Sequence, residues 1–149
     1  MRSLYGRHWS FGDQAAPSAS SPDAAVYLPA RNAFLLTAAA RVADTHKAET
    51  IALGVLKGNP FGDASPKFLR LAGQALSEAL RHPVRVKAPL AGLRKATLVR
   101  QLSPALAALS FSCINPCGRA HCGRCNKCAE RRRAYHAARV ADPTAYARR

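Results

Sequence analysis

Cys113, Cys117, Cys122, Cys125 and Cys128 crowd into one short segment of a 149-residue chain. The last three form two overlapping pairs, each with two residues between the thiols. A tight turn lets such a pair point both thiolates at one ion, so each pair is a chelating half-site. One more thiolate from upstream completes a tetrahedron. Cys113 and Cys117 compete for that place, with His121 behind them. A ferredoxin-like iron–sulfur run would carry a fourth cysteine about three residues after the third, and none follows Cys128. An odd number of thiols this close, without a secretory leader, does not read as a disulfide framework. The chemistry that fits is a closed four-thiolate zinc site, which contributes folding energy rather than catalysis.

Basic residues gather around the same segment. Residues 1–80 carry 8 basic and 6 acidic side chains, residues 81–149 carry 15 and 2, and the whole chain is formally +15. Such asymmetry suggests an anionic partner, either nucleic acid, a phosphorylated ligand or an acidic subunit. Of the 23 basic residues 17 are arginine in an alanine-rich chain, so coding bias accounts for the excess equally well. Arg131-Arg132-Arg133 reads as a solvated helix face. Aromatic residues that stack bases are scarce beyond residue 80, where only Phe111, Tyr135 and Tyr146 occur, so nucleic-acid contact would be phosphate-driven and non-specific.

A second candidate is the loop KGNPFGDASP (57–66), which follows the apolar run Thr50–Leu56. In α/β sheets ligands bind beyond the carboxyl ends of strands, where loops lead into helix N-termini. Gly58 and Gly62 permit close backbone approach, and Asp63 either receives a ligand donor or helps to cap a helix. Arg31-Asn32 and Lys95 are further candidates that, taken singly, read as surface or capping residues.

The elements that must position these residues follow from pattern. Asn32 caps a helix to about Lys47, with Phe34, Leu35, Ala38, Ala39 and Val42 on one face. Thr50–Leu56 lacks polar alternation, as a buried strand of a parallel sheet does. Ser65 as cap and Pro66 at the first helical position open a helix that Pro83 stops. Val84–Lys87 is a second strand, Leu93–Gln101 a third helix, and the stretch from Pro104 to Phe111 is helical again. A last helix spans about Ala129–Val140. The order is that of an α/β layered domain, but two strands are few for a sheet that commonly has about five or six. The reading divides the chain into residues 1–110, part of an α/β domain, and 111–149, a zinc knuckle with its helix.

No stretch approaches the roughly 18 uncharged apolar residues of a membrane span. Arg7, His8 and Asp13 stand where a signal peptide has its apolar centre, so a cytoplasmic location is expected.

Several segments together resemble the 7-cyano-7-deazaguanine synthase family, especially its shorter ExsB-like branch among the PP-loop ATPases. They are LYGRHWS (4–10), SPDAAVYLPARN (21–32), ALGVLKGNPFGDASPKFL (52–69), PLAGLRKATLVR (89–100) and FSC with HCGRCNKCAERRRAY (111–135). The resemblance implies an adenine-nucleotide-hydrolase-like α/β fold and an ATP-dependent carbon–nitrogen ligase of queuosine biosynthesis, using ATP and magnesium on a 7-carboxy-7-deazaguanine-like acid. It implies Cys113, Cys122, Cys125 and Cys128 as zinc ligands and Cys117 as a bystander. It turns Arg31, Asn32, Asp63 and Lys95 toward the nucleotide or substrate, and names no catalytic residue. The sequence departs from the pattern at Ala30, where glycine is usual, and at Gly62, where proline is common. Nothing resembles the family's SGGxDS loop. The expectation is therefore the carboxy-terminal portion of such a ligase, inactive and unstable alone, completed by self-association or a separate PP-loop polypeptide. A non-catalytic zinc ribbon binding nucleic acid through its basic half is the competing expectation.

Overall fold

The computed structural model describes residues 2–147. They divide into two compact units, Leu28–Arg94 and the two terminal segments, Met1–Tyr27 with Lys95–Arg149. Packing thus groups residues 95–110 with the cysteine segment, whereas the boundary drawn at residue 110 follows composition.

The central unit runs helix–strand–helix–strand. Its elements are α2 (Arg31–Thr45), β1 (Thr50–Ala52), α3 (Pro66–Leu80) and β2 (Arg85–Lys87). The strands pair in parallel, with Thr50 opposite Arg85, Ile51 opposite Val86 and Ala52 opposite Lys87. Parallel pairing is as expected, but the strands are shorter than the runs Thr50–Leu56 and Val84–Lys87. Pro89, which has no N–H, closes off β2, so the chain beyond Leu53 has no ladder to continue. The last rung is the Leu53 N–H to Lys87 carbonyl bond at 2.8 Å. Among the described residues the sheet holds these two strands. Leu36, Ala40, Ala43, Val55, Ala64, Leu69 and Val84 form its buried apolar set.

α3 begins as its sequence dictates, with Pro66 in the first turn and the Ser65 hydroxyl accepting from the Phe68 N–H at 3.2 Å. Gly73 lets this helix lie against β2: a Cβ there would stand 3.0 Å from the Val84 carbonyl oxygen. α2 starts differently from expectation. Its cap is Ala30, left-handed at φ 57° and offering no side-chain cap, and Asn32 lies inside the first turn.

The other unit contains α1 (Arg2–Tyr5), two short 3-10 turns at Trp9–Phe11 and Asp23–Val26, α4 (Lys95–Gln101), α5 (Pro104–Leu109) and α6 (Asn126–Ala138). Val99, Ala107, Ala134, Tyr135 and Ala138 form its apolar core, packed by Ala96 and Leu102. α6 starts at Asn126 rather than near Ala129, because Cys125 already occupies the cap position. Among the described residues no helix is long and apolar enough to cross a membrane.

Candidate functional site

The cysteine knuckle is assembled from three pieces of local structure. Gly118 and Gly123, at φ 59° and 74°, make its turns. Cys125 caps α6, and Cys128 lies in that helix's first turn. Cys113 arrives from upstream, its sulfur accepting from the N–H groups of Asn115 at 3.4 Å and Cys122 at 3.3 Å. The four sulfurs of Cys113, Cys122, Cys125 and Cys128 lie within 4.8 Å of one another. Cys113 and Cys125 are 3.8 Å apart and Cys122 and Cys128 are 4.0 Å apart. A zinc–sulfur bond of about 2.3 Å gives tetrahedral edges of about 3.8 Å, so this donor set fits a zinc ion. Cys117 is exposed and outside the cluster. The open choice of fourth thiolate therefore falls to Cys113.

The thiols are not equivalent. Burial opposes ionisation of Cys125, but the Ile114 and Cys128 backbone N–H groups, with the neighbouring thiols, outweigh it and bring it down to about 7. Burial pushes Cys113 and Cys128 up. One thiolate shared by its neighbours is the arrangement a cation completes by displacing the remaining protons.

His121 is 5% exposed and takes no part in the cluster. Its Nε2 accepts from the Ser112 N–H at 3.2 Å, and Phe111 and Tyr146 flank its ring. Burial and the nearby Arg131 charge keep it below its ordinary value, in the neutral form that this acceptor role requires. The amino-terminal loop also closes on the knuckle. Ser18 bridges to Cys125, the Asn126 N–H donates to the Pro17 carbonyl at 2.8 Å, and Asn126 Nδ2 donates to the Ser21 carbonyl at 2.7 Å.

Arg131 corrects the reading of the arginine run as a solvated face. It is 7% exposed. Its guanidinium donates to Ser110 Oγ at 2.8 Å, the Ala107 carbonyl at 3.0 Å and Thr144 Oγ1, and lies 3.6 Å from Asp142. Arg132 stands over the Tyr146 ring at 4.0 Å and donates to the Gly123 carbonyl. Arg133 is exposed as expected. Asp142 accepts from Thr144 and Tyr146. Burial acts to raise its carboxyl, but these bonds and Arg131 hold it below the usual range. Burial and the Asp142 charge together push the Tyr146 hydroxyl up to about 12.

In the central unit a cavity of about 580 Å³ opens at the carboxyl ends of β1 and β2. Val55, Leu56, Phe61, Leu69, Val86 and Ala88 make its apolar wall, and the exposed Lys57 and Lys87 also line it. The loop at 57–66 contributes most of its rim, where strand-end chemistry was expected. Lys57 lies in the loop after β1 and Lys87 at the end of β2, 30 positions apart, so no local spacing marks them as a pair.

The four residues expected to face a ligand are distributed unevenly. Asn32 and Asp63 are buried together: the Asn32 N–H donates to Asp63 Oδ2 at 2.9 Å, and Asn32 Nδ2 donates to the Asp63 carbonyl at 3.2 Å. Exposed Arg31 donates to Asn32 Oδ1 at 3.2 Å. Lys95 belongs to the other compact unit, where its ammonium meets Glu130 at 2.7 Å and Lys127 meets the same carboxylate at 2.6 Å. Burial works to raise the Glu130 carboxyl, but Lys127 and Lys95 outweigh it and hold it below its ordinary value.

Residues 3–139 match the model of the family described as queuosine biosynthesis protein QueC. The chain is 39% identical over 132 residues to a 7-cyano-7-deazaguanine synthase of Anaeromyxobacter dehalogenans, a match covering 82% of this chain and 56% of that protein. Similar matches are 38% identical to the Rhizobium leguminosarum bv. trifolii synthase and 32% to that of Methanococcus maripaludis, each over 82% of this chain and covering 54% and 57% of those proteins. The chain spans about half the length of the curated relatives it matches.

Proposed function

The chain belongs to the queuosine biosynthesis protein QueC family, and from that premise we propose that it forms the carboxy-terminal portion of an ATP-dependent ligase acting on a 7-carboxy-7-deazaguanine-like acid. The reaction adenylates the carboxylate, because a carboxylate is a poor electrophile until its oxygen belongs to a good leaving group. Ammonia then displaces AMP to give the amide. A second activation carries the amide oxygen away and leaves the nitrile.

The observation that carries the ligand site is the cavity of about 580 Å³ at the carboxyl ends of β1 and β2. A planar heterocycle lies against the wall of Val55, Leu56, Phe61 and Ala88, which removes apolar surface from water and excludes solvent around it. Lys57 and Lys87 supply positive charge for the acid's carboxylate or a phosphate. Among the described residues no carboxylate lines this cavity, so its lining does not fit magnesium. Zinc is the resident metal of this reading, held by Cys113, Cys122, Cys125 and Cys128, and it supplies folding energy to the knuckle. Its residues do no chemistry on the substrate.

This reading assigns to residues 1–149 the substrate cavity and the zinc knuckle, not the phosphate-binding loop of the whole enzyme. The test is calorimetric titration of zinc-loaded chain with 7-carboxy-7-deazaguanine, followed by an ATP-dependent amidation assay with and without an added PP-loop domain. Binding that is lost in Phe61→Ala, with turnover only in the mixture, is the expected outcome. No binding, or binding untouched by Phe61→Ala, overturns the assignment of the cavity.

A further inference from the structure

α2 starts without a cap of its own. Ala30 is left-handed and carries no side-chain acceptor, yet a helix start leaves its first N–H groups in need of partners. Asp63, 31 positions beyond Asn32, supplies one: its carboxylate Oδ2 takes the Asn32 N–H at 2.9 Å. A carboxylate at this end also meets the positive pole of a 15-residue helix. Asn32 answers from the other side, donating from Nδ2 to the Asp63 main-chain carbonyl at 3.2 Å. The two residues are 3% and 8% exposed, so both bonds are shielded from water.

The placement of Asp63 in its loop gives this clamp a purpose. Phe61, Gly62, Ala64 and Ser65 all line the cavity, and Asp63 between them does not. It sits in the 3-10 turn Gly62–Ala64 that leads into the Ser65 cap of α3. Its side chain and its carbonyl are both committed to Asn32. A loop of glycines, prolines and small residues has little side-chain bulk with which to hold its own shape. Its turns close locally, as where Asn59 Oδ1 accepts from the Phe61 N–H at 3.0 Å, and its tie to α2 comes from its one buried charged residue.

We propose that Asp63 and Asn32 are positioning residues: together they fasten the rim loop at 57–65 to the start of α2 and hold the cavity in its ligand-accepting form, without either touching the ligand. The proposal rests on the cavity being the ligand site. It reverses the direction in which the family resemblance turns these two side chains.

The experiment compares Asp63→Ala, Asp63→Asn and Asn32→Ala in the full zinc-loaded chain. Hydrogen–deuterium exchange follows the loop, and titration with 7-carboxy-7-deazaguanine follows the cavity. In Asp63→Ala, amide exchange over residues 57–65 accelerates about tenfold or more, since the buried charge-assisted bond to the Asn32 main-chain N–H is lost. Asn32→Ala keeps that bond and loses only the Nδ2 bond to the Asp63 carbonyl, so exchange accelerates less. α3 keeps its protection in both. Probe affinity falls in parallel. Asp63→Asn, whose amide oxygen still accepts the Asn32 N–H, restores most of both. A direct ligand contact predicts the opposite pattern: Asp63→Asn loses affinity as fully as Asp63→Ala, with loop exchange unchanged, and this overturns the proposal. If wild-type chain binds no probe, the reading of the cavity fails and the exchange arm alone decides the clamp. If Asp63→Ala does not fold, Asn32→Ala tests the Nδ2 half of the clamp, and Asp63→Asn still separates positioning from direct ligand contact.

Discussion

The cysteine knuckle and the cavity loop are built by opposite means. In the knuckle, ligands close together in sequence are brought together by two turns and the first turn of one helix, and their fit to an ion is a matter of local spacing. The loop at 57–66 has local turns of its own, but its ties to the rest of the unit are long-range. Its shape depends on Asn32, far away in sequence, on the ends of two strands and on the cap of α3. A site stabilised by a metal tolerates a weak surrounding core, whereas a site stabilised by long-range hydrogen bonds inherits the stability of its whole unit.

Removing the metal is the strongest way to break this contrast. Structural zinc contributes on the order of 10 kcal/mol to small thiolate sites, more than a core this size supplies. One zinc per chain is expected. A chelator should melt the knuckle and α6 while helicity of α2 and α3 persists. Cys→Ser at 113, 122, 125 or 128 should lose stoichiometric zinc by metal analysis, and Cys117→Ser should keep it. Loss of zinc in Cys117→Ser with retention in Cys113→Ser contradicts the geometry. A visible iron–sulfur spectrum contradicts the metal.

Arg131 offers the next largest effect, and it tests whether the knuckle's unit relies on the metal alone. Arg131→Met keeps the stem but removes the cation beside Asp142 and the guanidinium donors to Ser110 Oγ and the Ala107 carbonyl. Removing one partner of a buried ion pair costs about 3 kcal/mol, read here as a lower melting temperature of the zinc-loaded chain. The pH dependence follows from two signs. Asp142 has a lowered value, so its contribution is present above the ordinary carboxylate range and is lost as pH falls through the lowered value. Tyr146 is raised to about 12, so its contribution is present below the ordinary tyrosine value and is lost as pH rises through about 12. Asp142→Asn should flatten the acid limb contributed by this network; an unchanged acid limb means that other carboxylates set it.

What the sequence disclosed divides along the same line. Thiol spacing, the Ser65-Pro66 helix start and the turn glycines are local signals, and each is where the pattern puts it. Strand ends, the true start of α2 and the burial of Arg131 depend on what arrives from elsewhere. Pro89 ends one strand and thereby shortens its neighbour, and Asp63 removes the need for Asn32 to cap. Asp63 does help to cap a helix, one of its two readings, and the helix is α2, distant in sequence. The arginine run looked uniform because three identical residues carry no sign of which faces Asp142. Spacing alone leaves Cys113 and Cys117 open; the resemblance implies Cys113, whose sulfur lies with those of Cys122, Cys125 and Cys128.

Two glycine–alanine exchanges in the central unit sharpen the comparison, because a metal-free unit must feel backbone fit directly. Gly73→Ala is the larger. Alanine gains about 1 kcal/mol in helix propensity, but its Cβ meets the Val84 carbonyl oxygen at 3.0 Å and the Val86 nitrogen at 3.4 Å. Both are backbone atoms of the strand, which cannot swing away, and overpacking of this kind costs about 1–3 kcal/mol. The net is a loss of about 1 kcal/mol, measured by denaturant unfolding. A gain instead would mean that α3 slides off β2 without penalty.

Ala30→Gly runs the other way and is the smallest effect. Alanine at φ 57° holds a left-handed conformation that costs an L-residue about 1–2 kcal/mol. Glycine relieves that strain but frees the unfolded chain, which gives back about 0.4–1 kcal/mol. The difference is a stabilisation of roughly 0.5 kcal/mol or a little more. It should appear in the unfolding midpoint of the central unit and leave zinc content unchanged. The Asn32 amide should exchange more slowly, because its bond to Asp63 closes on a helix start that is no longer strained. A destabilised Ala30→Gly would place the left-handed turn among the things Asp63 imposes on α2, and not among those the chain would adopt by itself.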